Sequence, residues 1–460
     1  MFLPQAFVSR MQQQLGTEYP DFERALQGSR ITSLRFHHSR SRTPFEDSTP
    51  VPWCDQGVYL KERPLFAGDP HIFAGAYYVQ EASSMSLWTA LQKWGELDRP
   101  LTVLDLCASP GGKSTLISSL LPKGSLLVSN ELVSKRVGAL MENLSRWGMP
   151  NHVVTSNHSG DFKGFREFFD IIVVDAPCSG EGMFRKDPKS IEQWSEGLVK
   201  SCQNVQREIL DDILPCLKAG GLLCYSTCTY APEEDEEQVA WMLETQGLTS
   251  LRLEEAQEWG VTESVVDTSG KQGYGYRFYP HKTQGEGFFL AGFRKEGEGG
   301  KGKMKKLKKM RAKLEEFPKK LEVLLKPWVK AVESWDYRLF QEHIYAIPKG
   351  RGKDIQSLAA VMNVCQFGVK LGRLNGKKFI PDHALAVSTI ANPDLPKLEL
   401  NWEQAITYLQ KKELTANTGS LQGWALASYE GNTLGWAKVL PNRINNFYPS
   451  NLRLKREFEE

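Results

Sequence analysis

The chain has 460 residues, 41% of them hydrophobic and 24% charged, a length that calls for more than one core because single domains usually run about 100–200 residues. No run approaches the roughly 18 consecutive apolar residues of a membrane span, and the opening MFLPQAFVSRMQQQLG lacks a secretory apolar core and cleavage site, so a soluble, cytoplasmic protein is expected. Lys and Arg number 57 against 55 Asp and Glu, so any polyanionic partner must be met by local patches rather than by net charge.

The first seventy or so residues combine a helix-like opening with turns at Pro44, Pro50, Pro52, Pro64 and Pro70, which break the chain into short elements and predict a small leading domain over 1–75. From 76 to 294, short β-rich apolar runs (LTVLDL, SLLVSN, FDIIVVDAP, GGLLCYST, GFFLAGF) alternate with helical segments. That pattern predicts an α/β fold with a mostly parallel sheet flanked by helices. Residues 295–320 are Gly-rich, then Lys-rich, and read as a basic linker. Beyond it, 321–390 and 391–460 mix short strands and turns with aromatics such as Trp328, Trp335, Trp424, Trp436, Phe447 and Tyr448, as expected of two small α+β domains.

Within the second segment, VLDLCASPGGKSTLISSLL reads as an apolar strand, a turn holding Ser109, Pro110, Gly111 and Gly112, and a helix. A glycine turn lets backbone approach a ligand closely, and the helix start presents unpaired N–H groups. Neither GxGxxG nor GxxxxGK[ST] is present, which argues against a dinucleotide or ATP site. Glu131 follows the second apolar strand, where an acid can accept both ribose hydroxyls of a nucleoside. It reads equally as a first-turn acid favoured by a helix dipole.

Two further strands end in chemistry. FDIIVVDAPCSGEGMFRKDP closes on Asp175, Ala176, Pro177 and Cys178, and GGLLCYSTCTYAPEEDEE closes on Cys228. Catalytic groups of open α/β sheets gather at such carboxyl ends, so two cysteines and an aspartate can face one crevice. The eight cysteines are scattered, which suits reduced thiols rather than disulfides. Cys224, Cys202, Cys216 and Cys365 read as small buried hydrophobes. Cys224 and Cys228 are not a CxxC pair, and no second CxxC or HxxxH follows, so no metal site is expected. His71, His152, His158 and His281 form no recognisable protease arrangement.

At these residues the chain resembles the NOL1/NOP2/Sun family of RNA 5-methylcytosine methyltransferases and, within it, the bacterial RsmF type that modifies 16S ribosomal RNA. The resemblance rests on YYVQEASSM at 77–85, DLCASPGGKST at 105–115, DAPCSGEGMFRKDP at 175–188, QREIL at 206–210, YSTCTY at 225–230 and GFFLAGF at 287–293. Further motifs at 370–386 and 423–454 are similar to the RsmF-type extension with its PUA-like RNA-binding end.

The resemblance implies a Rossmann-like core dependent on S-adenosyl-L-methionine (SAM), with Cys228 as the nucleophile toward cytosine carbon 6 and Cys178 assisting release. It implies SAM contacts from Cys107, Ala108, Ser109, Pro110, Gly111, Gly112 and Lys113, and from Glu131, Arg136 and Asp175. Asp175 can also bond the cytosine ring nitrogen and amine. Lys186 can hold the thiolate or the RNA backbone, or stand as a solvated surface lysine. Many relatives carry an acid where this chain has Asn157 and His158, which leaves open whether either of these, or Asp161, meets the adenine. The expected partner is RNA, 16S rRNA or the 30S subunit or its precursor, bound by a monomer. The alternatives are a tRNA substrate or a non-catalytic ribosome-assembly factor. The target base must be unpaired or flipped, since its reacting face lies in the stack. GKMKKLKKMRAK and LGRLNGKKF, with the C-terminal aromatics, can clamp phosphates and stack on bases.

Overall fold

The computed structural model describes residues 2–42, 45–268, 270–297, 314–376 and 378–458. Pro44 and the lysine run 302–313 lie outside the described residues. The centre of the molecule is a ten-stranded sheet. Its strands are β1 (Thr102–Asp105), β2 (Leu126–Asn130), β3 (His152–Thr155), β4 (Phe169–Asp175), β5 (Leu217–Thr227), β6 (Leu248–Leu251), β7 (Thr262–Thr268), β8 (Lys271–Phe278), β9 (Phe288–Lys295) and β10 (Val364–Phe367). They run β7-β8-β9-β5-β4-β1-β2-β3-β10, with β6 beside β9. Strands β5, β4, β1, β2 and β3 are mutually parallel. The strands outside them pair antiparallel.

The near-continuous apolar runs follow from burial on both faces. Successive side chains point to opposite sides of a strand, so Leu104, Val128, Ile172 and Leu223 join one core while Val103, Leu127, Ile171 and Leu222 join the other. Helix α1 (Gly112–Leu120) adds Leu116 and Ile117 to the second core. Helices α3 (Glu196–Ile213) and α4 (Glu236–Thr245) cover the first with Leu210, Ile213, Val239 and Met242. Helix α2 (Ser134–Trp147) connects β2 to β3 and packs Val137, Leu140 and Leu144 beside Ala108. The strand order reverses between β1 and β4, which opens a crevice at their carboxyl ends.

The remaining parts are fused to this centre. The helices Gln5–Leu15 and Tyr19–Gln27 lay Phe7, Met11, Phe22 and Leu26 against Phe184, Trp194, Tyr230 and Tyr279 of the central segment. A four-stranded sheet of the leading segment, a five-stranded sheet and a four-stranded C-terminal sheet surround the centre. The segment read as a separate domain at 321–390 in fact gives β10 to the central sheet and packs Ile355, Leu358 and Met362 into its core. The physical reason is that the outer edge of β3 otherwise presents unpaired N–H and C=O groups. Arg351 secures the same junction, donating to the Gly124 carbonyl at 2.6 Å, the Thr102 hydroxyl at 3.0 Å and the Leu101 carbonyl at 3.1 Å. Cys365, expected to be buried, is exposed; on an edge strand alternate side chains face outward. Cys216 and Cys224 are buried as expected and Cys202 is half-buried. Among the described residues no helix is long and apolar enough to cross a membrane.

Gly292 of β9 sits under the Trp94 ring, and a Cβ there would lie 2.3 Å from Trp94 Cζ3. Overpacking of this kind costs about 1–3 kcal/mol. Gly292→Ala is therefore expected to lower the thermal unfolding midpoint, read by calorimetry, while an unchanged midpoint would show that the Trp94 side chain yields.

Candidate active site

The crevice is built from the register of β4 and β5, in which Asp175 stands opposite Ser226. The Ser226 hydroxyl donates to Asp175 Oδ1 at 2.9 Å and the Ala176 N–H to the Ser226 carbonyl at 2.8 Å. Lys113 Nζ, from the first turn of α1, lies 2.9 Å from Asp175 Oδ2. Burial opposes the Lys113 charge, yet the Asp175 carboxylate carries its pKa above the ordinary value, with a smaller push from Asp105 and Cys228. Two residues beyond Ser226 comes Cys228, and three beyond Asp175 comes Cys178. Their sulfurs are 3.3 Å apart. The Cys228 sulfur, then burial, hold the Cys178 thiol well above its usual range, so at neutral pH Cys178 carries a proton.

Buried polar groups fix both cysteine loops. The Ser179 N–H donates to Glu234 Oε2 at 3.0 Å, and Gln206 Nε2 donates to the same carboxyl at 2.8 Å and to the Pro177 carbonyl at 3.0 Å. Glu181 accepts from Arg10 at 2.6 Å, from the Trp194 indole at 2.8 Å and from the Tyr230 N–H at 3.0 Å. The leading helix thus grips both loops. Gly182 passes so close that a Cβ would lie 3.0 Å from the Cys228 carbonyl oxygen and 2.9 Å from that of Gly287. Only glycine fits there without moving the cysteine loop.

Two cavities meet along Cys107, Ser109, Asp175, Met183 and Cys228. The first, about 500 Å³, is also lined by Glu131, Arg136, Asn157, His158 and Cys178, and its volume suits a nucleoside-sized ligand. Leu132, Val133, Met183 and Val205 are large apolar side chains that remain exposed, and all four rim this cavity. Clustered exposed apolar surface of this kind marks a binding site for a flat apolar group. Glu131 is buried, with one oxygen accepting the Val133 N–H at 2.8 Å and the other 3.5 Å from Arg136. Arg136 also donates to the Ser109 carbonyl at 2.7 Å and so holds the turn. Gly111 opens α1 at φ +112°, which a side chain would strain. The acid, the glycine turn and the apolar rim together fit SAM.

The second cavity, about 360 Å³, is lined by Lys113, Lys186, Ala108, Pro110, Gly112, Gln80 and Glu286 as well as the shared residues. Every residue expected at the site therefore lines one cavity or the other, except Gly111, whose role is conformational, and Asp161, which stands behind Asn157. Lys113, expected among the cofactor contacts, turns its amine instead toward Asp175 and the second cavity. Lys186 lines that cavity without a side-chain partner among the described residues.

Asn157, where the resemblance leads one to expect an acid, forms a structural link. Its Nδ2 donates to Asp161 Oδ2 at 2.9 Å and its Oδ1 accepts the Asn363 N–H at 2.9 Å, while the Ser156 N–H donates to the Asn363 carbonyl at 3.0 Å. Both polar ends of the side chain are engaged by protein. The sequence reading missed Asn363, Glu234, Ser226 and the pairing of Lys113. Glu234 lies in the acidic run after YSTCTY, a usable signal, whereas Asn363 carries none, because only folding brings it to Asn157. Among the described residues no three His, Cys, Asp or Glu side chains group as a metal site.

Asp105, at the end of β1, accepts from Ser114 at 2.6 Å, and burial pushes its carboxyl up to about 7. The folded state thus keeps this proton over a range where the unfolded chain, with a pKa near 3.9, has lost it. Stability from this group is full at low pH and declines as pH rises from about 4 to about 7, by at most about 1.4 kcal/mol per unit. Glu234, raised by burial to about 7, acts in the same direction. Urea midpoints measured across that window should fall less steeply in Asp105→Asn than in the unsubstituted protein; parallel slopes would place the Asp105 pKa near its ordinary value.

Comparison with known proteins places this geometry. Residues 95–294 match the 16S rRNA methyltransferase RsmB/F family, 3–82 the N-terminal domain of 16S rRNA methyltransferase RsmF, and 395–454 the methyltransferase RsmF PUA domain. The ribosomal RNA small subunit methyltransferase F of Aliivibrio fischeri is 30% identical over 98% of this chain and 98% of its own. That of Escherichia coli K12 is 28% identical over 98% and 97%. Among solved structures, a methyltransferase homolog protein from Pyrococcus horikoshii aligns with a TM-score of 0.53 and 27% identity, over 64% of this chain and 95% of that one. The NSun6 of the same organism, solved with SFG, aligns at 0.53 with 19% identity over 64% and 99%, a likeness of fold. With a crevice of two facing cysteines on a methyltransferase sheet, and a full-length relative at 30% identity, this chain belongs to the ribosomal RNA small subunit methyltransferase F (RsmF) family.

Proposed function

We propose that the chain is a cytoplasmic, SAM-dependent RNA (cytosine-5-)-methyltransferase acting on 16S rRNA, with Cys228 as nucleophile. The observation that carries this reading is the pair of sulfurs 3.3 Å apart, of which Cys228 lines both cavities and Cys178 the first. The first cavity is the proposed SAM site, with Glu131 accepting the ribose hydroxyls and the turn from Cys107 to Lys113 meeting the remainder. Bound there, SAM supplies a methyl group on a positively charged sulfur. The second cavity is the proposed seat of a flipped cytosine. The names of the full-length relatives support a small-subunit rRNA substrate.

Carbon 5 of cytosine is a weak nucleophile, and addition of a thiolate at carbon 6 raises its electron density; covalent catalysis divides one hard step into easier ones. Lys113 lies close enough to Cys228 for their charges to interact, and a cation favours the thiolate. Asp175, held by Ser226 and Lys113, can orient the cytosine amine and ring nitrogen as charge develops. After carbon 5 has taken the methyl group, it loses its proton and the bond from carbon 6 to Cys228 breaks. Cys178, beside that sulfur and carrying a proton, is placed to assist the departure.

Incubation with radiolabelled SAM and either unmodified 16S rRNA, small subunits or transfer RNA, followed by digestion to nucleosides, tests the reading. Label is expected in 5-methylcytidine of the ribosomal substrate, absent with Cys228→Ala. With Cys178→Ala, a protein–RNA adduct stable to denaturation should accumulate. Label in another nucleoside, or undiminished label with Cys228→Ala, overturns the assignment, and label in transfer RNA alone overturns the substrate. Lys113→Met should lower kcat by about 100-fold, the scale of losing one well-placed donor, with a smaller change in SAM affinity measured by calorimetry. Equal losses in both would return Lys113 to the cofactor contacts.

A further inference from the structure

A cavity of about 620 Å³ lies away from the crevice, where the leading segment, the central sheet and the 321–390 segment meet. The loop after α1 (Leu121 and Lys123) forms one wall, His38 another, and Lys330, Trp335 and Lys349 a third. This is the amino end of the parallel strands, opposite the cysteines. The floor is apolar and the rim is cationic: no Asp or Glu lines it, and none of the three lysines is paired with a carboxylate among the described residues. Lys349 Nζ reaches only the Glu333 carbonyl, at 2.8 Å. Trp335 is half-buried and fixed in place by donating its indole N–H to the Lys330 carbonyl at 3.1 Å. Burial, and then the charges of Arg35 and Arg40, push the His38 imidazole below its ordinary value, so His38 adds no charge of its own and the cationic character rests on the lysines.

A fixed indole over an apolar floor, ringed by unpaired ammonium groups, is the arrangement that holds an unstacked base by its face and its phosphates by charge. We infer that this cavity is a second RNA site, which seats a single-stranded nucleotide of the substrate with its base against Trp335 and its flanking phosphates on Lys123, Lys330 and Lys349. The inference rests on the reading that the substrate is RNA. It adds that the substrate reaches round the molecule, from the carboxyl ends of the strands to their amino ends. Site choice then draws on a contact remote from the reacting cytosine. Because three segments build the cavity, it exists only in the intact chain.

The test uses the full-length protein. Lys330→Glu combined with Lys349→Glu, and separately Trp335→Leu, are compared with the unsubstituted chain in filter binding to unmodified 16S rRNA over a range of salt. SAM affinity and thermal midpoint serve as controls. The double variant should weaken RNA binding about tenfold or more and flatten the log–log salt dependence by about 1.4, since each lost phosphate contact removes about 0.7 for single strands. Irradiation of the complex with RNA carrying 5-iodouridine should crosslink Trp335, and the crosslink should disappear with Trp335→Leu. Wild-type affinity and salt slope in the double variant, with methylation of 16S rRNA intact in the parent, would overturn the second site and leave the proposed function standing. Failure of the parent to bind or methylate RNA would overturn both. No crosslink between Trp335 and the RNA, in a parent protein that binds and methylates 16S rRNA, would also overturn the RNA occupant.

Discussion

The parallel register that sets Asp175 against Ser226 is the constraint on which the site depends. Both cysteines are counted from it along short loops, so their separation is fixed by the ladder and not by side-chain choice. A slip of one residue would turn every side chain of a strand to the opposite face. That slip is forbidden by the cores: Ile172, Val174 and Leu223 on one face and Ile171, Val173 and Leu222 on the other are all buried. Hydrophobic burial far from the chemistry therefore determines where two sulfurs meet. The electrostatics then distinguishes them, leaving one with a proton and the other beside a lysine.

Buried charge serves position more than stability here. Glu181 and its three donors, and Arg185 with Glu286 at 2.6 Å, lie where desolvation offsets much of the attraction between opposite charges. What such groups supply is directional. Arg10 and Trp194 meet one Glu181 oxygen and the Tyr230 N–H meets the other, which ties the leading helix to the two cysteine loops in one arrangement. The first and last parts of the chain thereby become components of the crevice: Arg10 acts on one side and Asn363 on the other.

The sheet, its order of chemistry and most of the crevice were legible in the sequence because those features are local. Apolar runs, a glycine turn and residues just past strand ends keep their meaning in any α/β fold. The reading of Cys228 and Cys178 as nucleophile and helper came from the resemblance, since spacing along the chain cannot distinguish a strand-end thiol from a buried one. What stayed hidden was long-range. Val364–Phe367 has too short an apolar run to announce that it completes a sheet begun some 260 residues earlier. Asn157 read as a departure at the cofactor wall; it lines that cavity and is also the point where the distant strand is tied. Cys365 was misjudged for the same reason, as an edge is a property of the assembled sheet.

That borrowed strand also decides how the protein can be divided. Cutting the chain after β9 would remove β10, and with it the hydrogen bonds from Val364, Gln366 and Phe367 that cover β3. A bare, flat edge next to Val153 and Val154 invites pairing with another chain. The appended part thus acts first as a protective selvedge for the central sheet. Evolutionary loss or exchange of the C-terminal region would have to supply a new border before it could alter which RNA is chosen.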